Sequence, residues 1–151
     1  VNKKFKIKLL IIGYGPNKNN ILNYIKKNQL SKVVKIIKFQ NNPYKYIQKS
    51  NLFILSSLYE GLPNVLLEAM SLKKFVISSD CPTGPKEILK NGKYGILFNP
   101  GDKKDLSRKI MNYHNHKKKY DKIIFKAYNS LDRFDFKTNC EKYLNLIEEF
   151  I

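Results

Sequence analysis

Five short apolar runs in the first hundred residues, with segments of helical character between them, constrain this chain more than any other feature. They are residues 7–12 (IKLLII), 33–39 (VVKIIKF), 52–55 (LFIL), 75–78 (FVIS) and 95–98 (GILF), all of strand length and composition. Several are nearly continuous in apolar side chains rather than alternating, as parallel strands covered on both faces by helices would be. Helical stretches are expected at 17–28, 43–49, 63–72 and 84–91. A repeated strand-helix order implies right-handed crossovers, so the expected fold class is α/β: a doubly wound parallel sheet of about five strands flanked by helices. Ligands of such sheets bind beyond the carboxyl ends of the strands, which makes the loops after the strands the places to look for function.

After Pro100 the texture turns wholly helical. Gly101 and Asp102 precede a helix expected to reach His116, a second is expected over 120–131, and residues 136–151 carry Tyr143, Leu144, Ile147 and Phe150 at helical spacing. No internal repeat and no Gly/Ser/Pro-rich linker divides the chain, so residues 1–151 are expected to form a single domain. A chain of this length buries roughly 68–70% of its unfolded surface and can own a core.

No apolar run approaches the ~18 residues of a membrane span, and the basic stretch 1–8 lacks the apolar core of a signal peptide, so the expected location is the cytoplasm. Cys81 and Cys140 stand far apart and outside metal-ligand or CxxC spacing, so they read as buried or indifferent thiols and no metal site is expected. The net charge is +17, but 27 of the 29 cations are lysines, in a chain equally rich in Asn and Ile. That is the signature of A/T-rich codons. The lysines are scattered, apart from Lys117, Lys118 and Lys119, which fits a solvated surface or attraction to phosphorylated ligands or to anionic lipid headgroups, the last at about 1 kcal/mol per Lys near a membrane.

Four loops follow strands. Gly13-Tyr14-Gly15-Pro16 offers two glycines without the third of GxGxxG; it is either a phosphate loop or a tight strand-to-helix turn. Gln40-Asn41-Asn42-Pro43 has amides that suit a nucleobase edge and also the make-up of an ordinary turn. The third, Ser56-Ser57-Leu58-Tyr59-Glu60-Gly61-Leu62-Pro63, leads into a helix carrying Asn64, Val65 and Glu68. The exposed amides and positive end of that helix suit a diphosphate, and two carboxylates would flank it. A carboxylate accepts bonds from two vicinal hydroxyls, so Glu68 suits a ribose diol and Glu60 the hydroxyls of a hexose; the plain alternatives are a surface loop residue and a polar point on a buried helix. For Glu68 the apolar neighbours Val65, Leu66, Leu67, Ala69 and Met70 argue for a partnered role. The fourth loop, 79–85 (SDCPTGP), is stiffened by two prolines and opens another helix at Gly84 or Pro85, aiming amides and Lys86 at the strand ends.

The stretch YEGLPNVLLEAM resembles the E-x7-E motif of glycosyltransferase family 4, and the likeness extends in order through LLIIGYGP, FQNNPYKYI, SSDCPTGPKEIL and NGKYGILFNPGD, over about residues 7 to 115. The resemblance implies one half of a GT-B architecture, in which two Rossmann-like domains face across a cleft. It implies the C-terminal, donor-binding domain, with the N-terminal acceptor domain absent from this stretch of chain. By position, Glu60 would be the catalytic-face contact to the donor hexose and Glu68 would hold the ribose. The amides of Gly61, Leu62, Asn64 and Val65 would meet the diphosphate, with Gly13, Gly15 and Lys86 bordering the phosphates. Gln40, Asn42 and Pro43 would border the nucleobase. Transfer would be retaining, would require no metal or other cofactor, and would use a nucleotide-sugar, UDP-linked by analogy with members that build bacterial lipid-linked or surface glycans.

The family's donor domain normally begins with an Arg- and Lys-bearing clamp, and this sequence starts just after its expected place; the chain alone is therefore expected to show little transferase activity. Two other readings remain open at this stage. One is a basic module for nucleic acid or anionic membrane, although no nucleic-acid partner is expected without interleaved Arg and aromatics on one strand face. The other is a sugar-nucleotide epimerase of the same two-domain architecture.

Overall fold

The computed structural model describes residues 6–150. Residues 1–5 of the basic N-terminal stretch, and residue 151 of the last expected helix, lie outside the described residues. The element order is β1 (Leu9–Ile12), α1 (Lys18–Lys27), β2 (Val34–Ile37), α2 (Tyr44–Lys49), β3 (Leu52–Leu55), α3 (Asn64–Ser71), β4 (Phe75–Ser79), α4 (Pro85–Ile88), β5 (Ile96–Phe98), α5 (Lys103–Asn115), α6 (Lys117–Asn129), a 3-10 turn (Ser130–Phe134) and α7 (Phe136–Glu148). All five expected strands form, every pairing is parallel, and the C-terminal segment is helical. The strands are shared between two sheets, β1-β2 and β3-β4-β5. The chain divides correspondingly into two compact units, Val1–Tyr46 and Ile47–Ile151.

In the first unit β1 and β2 pair over their full length, from Leu9 opposite Val34 to Ile12 opposite Ile37. Leu9 and Leu10 are exposed, so cover on both faces is not realised for β1. Within this unit one ten-residue helix, of which Ile25 alone is buried, cannot close over two faces of a sheet.

In the second unit β4 is central and buried at all five positions. Side chains alternate across a strand, so β4 feeds two cores. Val76 joins Ile47, Leu66, Ala69, Met70, Ile88, Leu89 and Ala127, with Phe53 and Leu55 from β3. Phe75 and Ile77 join Phe98, Tyr113 and Tyr120, with Leu52 and Ile54 from β3. Phe75 stacks on Tyr113 at 4.9 Å between ring centroids and meets Tyr120 at 4.5 Å. The Tyr113 hydroxyl donates to the Asn51 carbonyl at 2.7 Å. Burial, with a smaller contribution from the Asp121 charge, pushes the Tyr113 phenol above its ordinary pKa.

Helix boundaries depart from expectation where local chemistry decides them. Pro63 is the residue that caps α3, not its first turn, so the helix begins at Asn64. The helix expected over 84–91 stops at Ile88, because Lys90 and Asn91 take positive φ and Gly92 follows at +86°. That reversal brings Gly95 against Val76, where a Cβ would sit 2.8 Å from Cγ2 and 2.9 Å from the carbonyl oxygen. The lysine run 117–119 is the first turn of α6, which starts earlier than expected because nothing after His116 breaks a helix.

Asp102 caps α5, its Oδ1 accepting from the amides of Lys104 at 2.8 Å and Asp105 at 2.9 Å. Asp102→Ala is expected to lower stability by about 1 kcal/mol, read as a lower denaturant midpoint at unchanged slope.

Candidate functional site

Because β3 and β4 are parallel neighbours, the loops that follow them leave the same edge of the sheet. Three contacts tie these loops together. Ser79 Oγ donates to the Ser57 carbonyl at 2.6 Å. Thr83 Oγ1 donates to the carbonyl of Glu60 and also lies 2.7 Å from the Pro82 carbonyl. Gly84 lies so close to the other loop that a Cβ would overlap the Gly61 carbonyl oxygen and come within 2.5 Å of Pro63 Cδ.

The backbone at this junction is strained. Thr83, a β-branched residue, has φ +64°, and Gly84 follows at φ +74°, ψ −70°. The latter is the rare γ-turn conformation, and the Pro85 that follows has no N–H to close the turn's hydrogen bond. Packing and the Thr83 hydroxyl hold it instead. Such strain persists only where the surroundings over-determine it, and it concentrates at binding sites.

The junction fixes Glu60, half-buried with its carbonyl pinned, four residues before the start of α3. The first helical amides have no intrahelical acceptor, and Pro63 contributes none, so the donors at this end are Gly61, Leu62, Asn64 and Val65; the amide of Leu66 already bonds to the Pro63 carbonyl at 2.9 Å. Together with the helix dipole they form an anion-directed surface.

Glu68 lies one turn beyond Asn64. Its setting differs from the sequence expectation of a carboxylate ringed by apolar groups. Leu66, Ala69 and Met70, at i, i+3 and i+4, form the buried stripe of α3, while Val65 is exposed and Glu68 is half-buried on the side away from that stripe. Among the described residues neither Glu60 nor Glu68 has a side-chain hydrogen-bond or ion-pair partner, so both carboxylates are free to accept bonds from outside the chain.

Lys86 reaches back across the fourth loop to Asp80, Nζ to Oδ2 3.6 Å. Its charge is thus shared with a carboxylate that the sequence does not mark out. Arg133 is a further residue with no local signal. Nη2 donates to the Ile88 carbonyl at 2.9 Å and Nη1 to that of Glu87 at 3.4 Å, capping the end of α4 from 45 residues away.

Gly13, Gly15, Gln40, Asn42 and Pro43 belong to the first unit. Gly13 has φ +145° and needs to be glycine for that reason, whereas Gly15 has no positive φ, and a Cβ at either would meet nothing within 4 Å. Gln40 Nε2 donates to the Lys38 and Phe39 carbonyls, both at 3.1 Å, and its Oε1 accepts from Tyr46. Asn42 Oδ1 accepts from the Tyr44 amide at 3.2 Å, the ordinary turn chemistry that the sequence allowed. Tyr14 and Phe39, both exposed, meet edge to face at 6.3 Å where the two strands of this unit end. Among the described residues no group of three or more His, Cys, Asp or Glu side chains is placed to hold a metal ion.

The family model described as glycosyl transferases group 1 matches residues 2–130. The chain belongs to this family. Among similar proteins is an uncharacterized glycosyltransferase of Methanocaldococcus jannaschii, 45% identical over 106 residues, covering 62% of this chain and 26% of that protein. Another is the N-acetylgalactosamine-N,N'-diacetylbacillosaminyl-diphospho-undecaprenol 4-alpha-N-acetylgalactosaminyltransferase of Campylobacter jejuni, 36% identical over 94 residues with the same two coverages. Among solved structures, a mutant of S. aureus TarM in complex with fondaparinux, alpha-GlcNAc-glycerol and UDP superposes with a TM-score of 0.86 at 28% identity, over 96% of this chain and 30% of that one. The glycosyltransferase chain thus spans about a quarter to a third of the length of these relatives.

Proposed function

We propose that this glycosyltransferase chain binds the donor in a retaining enzyme that moves a hexose or N-acetylhexosamine from a UDP-sugar to a glycan or lipid-linked acceptor of bacterial surface polysaccharide. The observation that carries the reading is the locked pair of loops after β3 and β4, which presents two unpartnered carboxylates on either side of a helix start rich in free amides. Glu60 would meet the donor hexose at its reacting face and Glu68 the ribose hydroxyls. The amides of Gly61, Leu62, Asn64 and Val65 would hold the diphosphate, where fixed dipoles stabilise the charge that develops as the nucleotide leaves. Lys86, tempered by Asp80, would border the same phosphates. No metal or other cofactor enters this scheme.

The names of the relatives support the acceptor class, and the UDP-bound neighbour supports the nucleotide. The acceptor would be held by an N-terminal domain in the remainder of a full-length enzyme, so the 151-residue chain alone is expected to bind donor and to transfer no sugar. The enzyme would work in the cytoplasm, in peripheral contact with the anionic inner face of the membrane.

UDP at a hundred times its Kd is expected to stabilise the chain by about 2.7 kcal/mol, a Tm rise of about 5–10 °C. Glu68→Ala should weaken UDP about 10- to 100-fold, the loss of charged hydrogen bonds, and 2',3'-dideoxy-UDP, which lacks both hydroxyls, should bind both proteins alike. An unchanged UDP affinity in Glu68→Ala would sink the assignment.

A further inference from the structure

The lysine run at 117–119 has no part in the donor site, and the structure places it on the first turn of α6, where it continues into a defined surface. Tyr120, Ile123, Ile124 and Ala127 supply the inward stripe of α6. The opposite side carries Lys118, Lys122 and Lys126, all exposed, and among them Phe125, an aromatic ring 61% exposed on the outward side. Beside this face Lys73 Nζ sits 4.7 Å above the ring of Tyr128. Lys73 follows the C-terminal end of α3, so the surface lies at the end of that helix away from Asn64 and the donor loops.

We infer that this face of α6 is the surface by which the protein docks on an anionic lipid bilayer. The inference rests on the peripheral membrane contact named in the proposed function, and it assigns that contact to particular side chains. Lysine ammonium groups on flexible stems attract headgroup phosphates while remaining hydrated, and an exposed ring between them enters the boundary between headgroups and acyl chains. Asp121 is the one acid on α6. Charge selects this helix over α7, which exposes a broader apolar stripe including Tyr143 and Ile147 but sets Glu141 and Glu148 against Lys137 and Lys142 and has Glu149 just beyond its end. With no net positive charge, that helix gains no attraction to an anionic surface. Docking through α6 leaves the start of α3 clear for the nucleotide.

The test is co-sedimentation of the full chain with vesicles of phosphatidylcholine alone and of equal parts phosphatidylcholine and phosphatidylglycerol. Binding is expected to the anionic vesicles only and to fall with added salt. The combined substitution Lys118→Gln, Lys122→Gln and Lys126→Gln should weaken it about a hundredfold, at about fivefold per lysine. Phe125→Ser should weaken it several-fold with the salt dependence unchanged. A control that neutralises Lys18, Lys26 and Lys27 on α1 removes as much charge elsewhere and should lose less than a tenth as much affinity. Equal losses in the two triple variants would overturn the inference, as would absence of vesicle binding or tighter binding to a single-stranded oligonucleotide. UDP-induced stabilisation should be the same in wild type and in every one of these variants, so failure of the docking face and failure of the donor site give different results.

Discussion

Gly84→Ala is expected to destabilise the protein by about 3–5 kcal/mol, lowering Tm by about 10 °C or more, and to abolish the response to UDP. Two costs add. At φ +74°, ψ −70° an alanine sits in a region that L side chains rarely adopt, and its Cβ would occupy the space of the Gly61 carbonyl oxygen. The only relief is to move the fourth loop away from the third, which breaks the bond from Thr83 to Glu60 and shifts the start of α3. Thermal melts with and without UDP check both halves of this expectation. A Tm within about 2 °C of wild type would mean that the loops tolerate separation and that Glu60 is not held by the contact. Gly61→Ala is the matched control: a Cβ at Gly61 meets nothing within 4 Å, and little loss of stability is expected there.

Phe75→Ala is expected to cost about 3–5 kcal/mol without altering UDP affinity in the folded fraction. Phe75 is fully buried on β4, and its ring forms a three-membered cluster with Tyr113 and Tyr120, two side chains that themselves lie 5.5 Å apart. Truncation leaves a cavity that cannot readily close. Tyr113 is anchored by its hydroxyl to Asn51, and the Tyr120 hydroxyl accepts from Asn112 Nδ2 at 3.0 Å. Urea unfolding gives the loss of stability, and near-UV circular dichroism should report the released tyrosines. A loss below about 1.5 kcal/mol would show that the aromatic cluster collapses to fill the space, contrary to the anchoring of both rings.

The two substitutions separate what was legible in the residue pattern from what was not. The run FVIS reads as a buried parallel strand, and β4 is one, because continuous apolar character and strand length are local properties. Which rings meet Phe75 is not local: Tyr113 and Tyr120 come from α5 and α6, and their helical spacing says only that they face inward. The third and fourth loops likewise announced themselves by glycine, proline and hydroxyl content after a strand. The overlap that Gly84 avoids joins positions 23 residues apart, and no spacing rule encodes it. Arg133 holding the end of α4 is the same case at longer range.

Glu68 is the most instructive residue. Read along the sequence, its apolar neighbours suggested an enclosed carboxylate in need of partners. Folded, those neighbours divide between a buried stripe and an exposed side, and Glu68 lies on the side that faces away from the core. The sequence by itself determined the order of strands and helices, the parallel pairing that this order requires, and the strand-end loops that carry Glu60, Glu68 and the helix-start amides, since each follows from periodicity and turn chemistry within a few residues. Tertiary structure alone decided that the third and fourth loops lock together, that Asp80 shares the charge of Lys86, and that the face of α6 bearing Lys118, Lys122, Phe125 and Lys126 is the one turned away from the core. Those outcomes depend on which side of each element the core claims, and that is settled only when the elements pack.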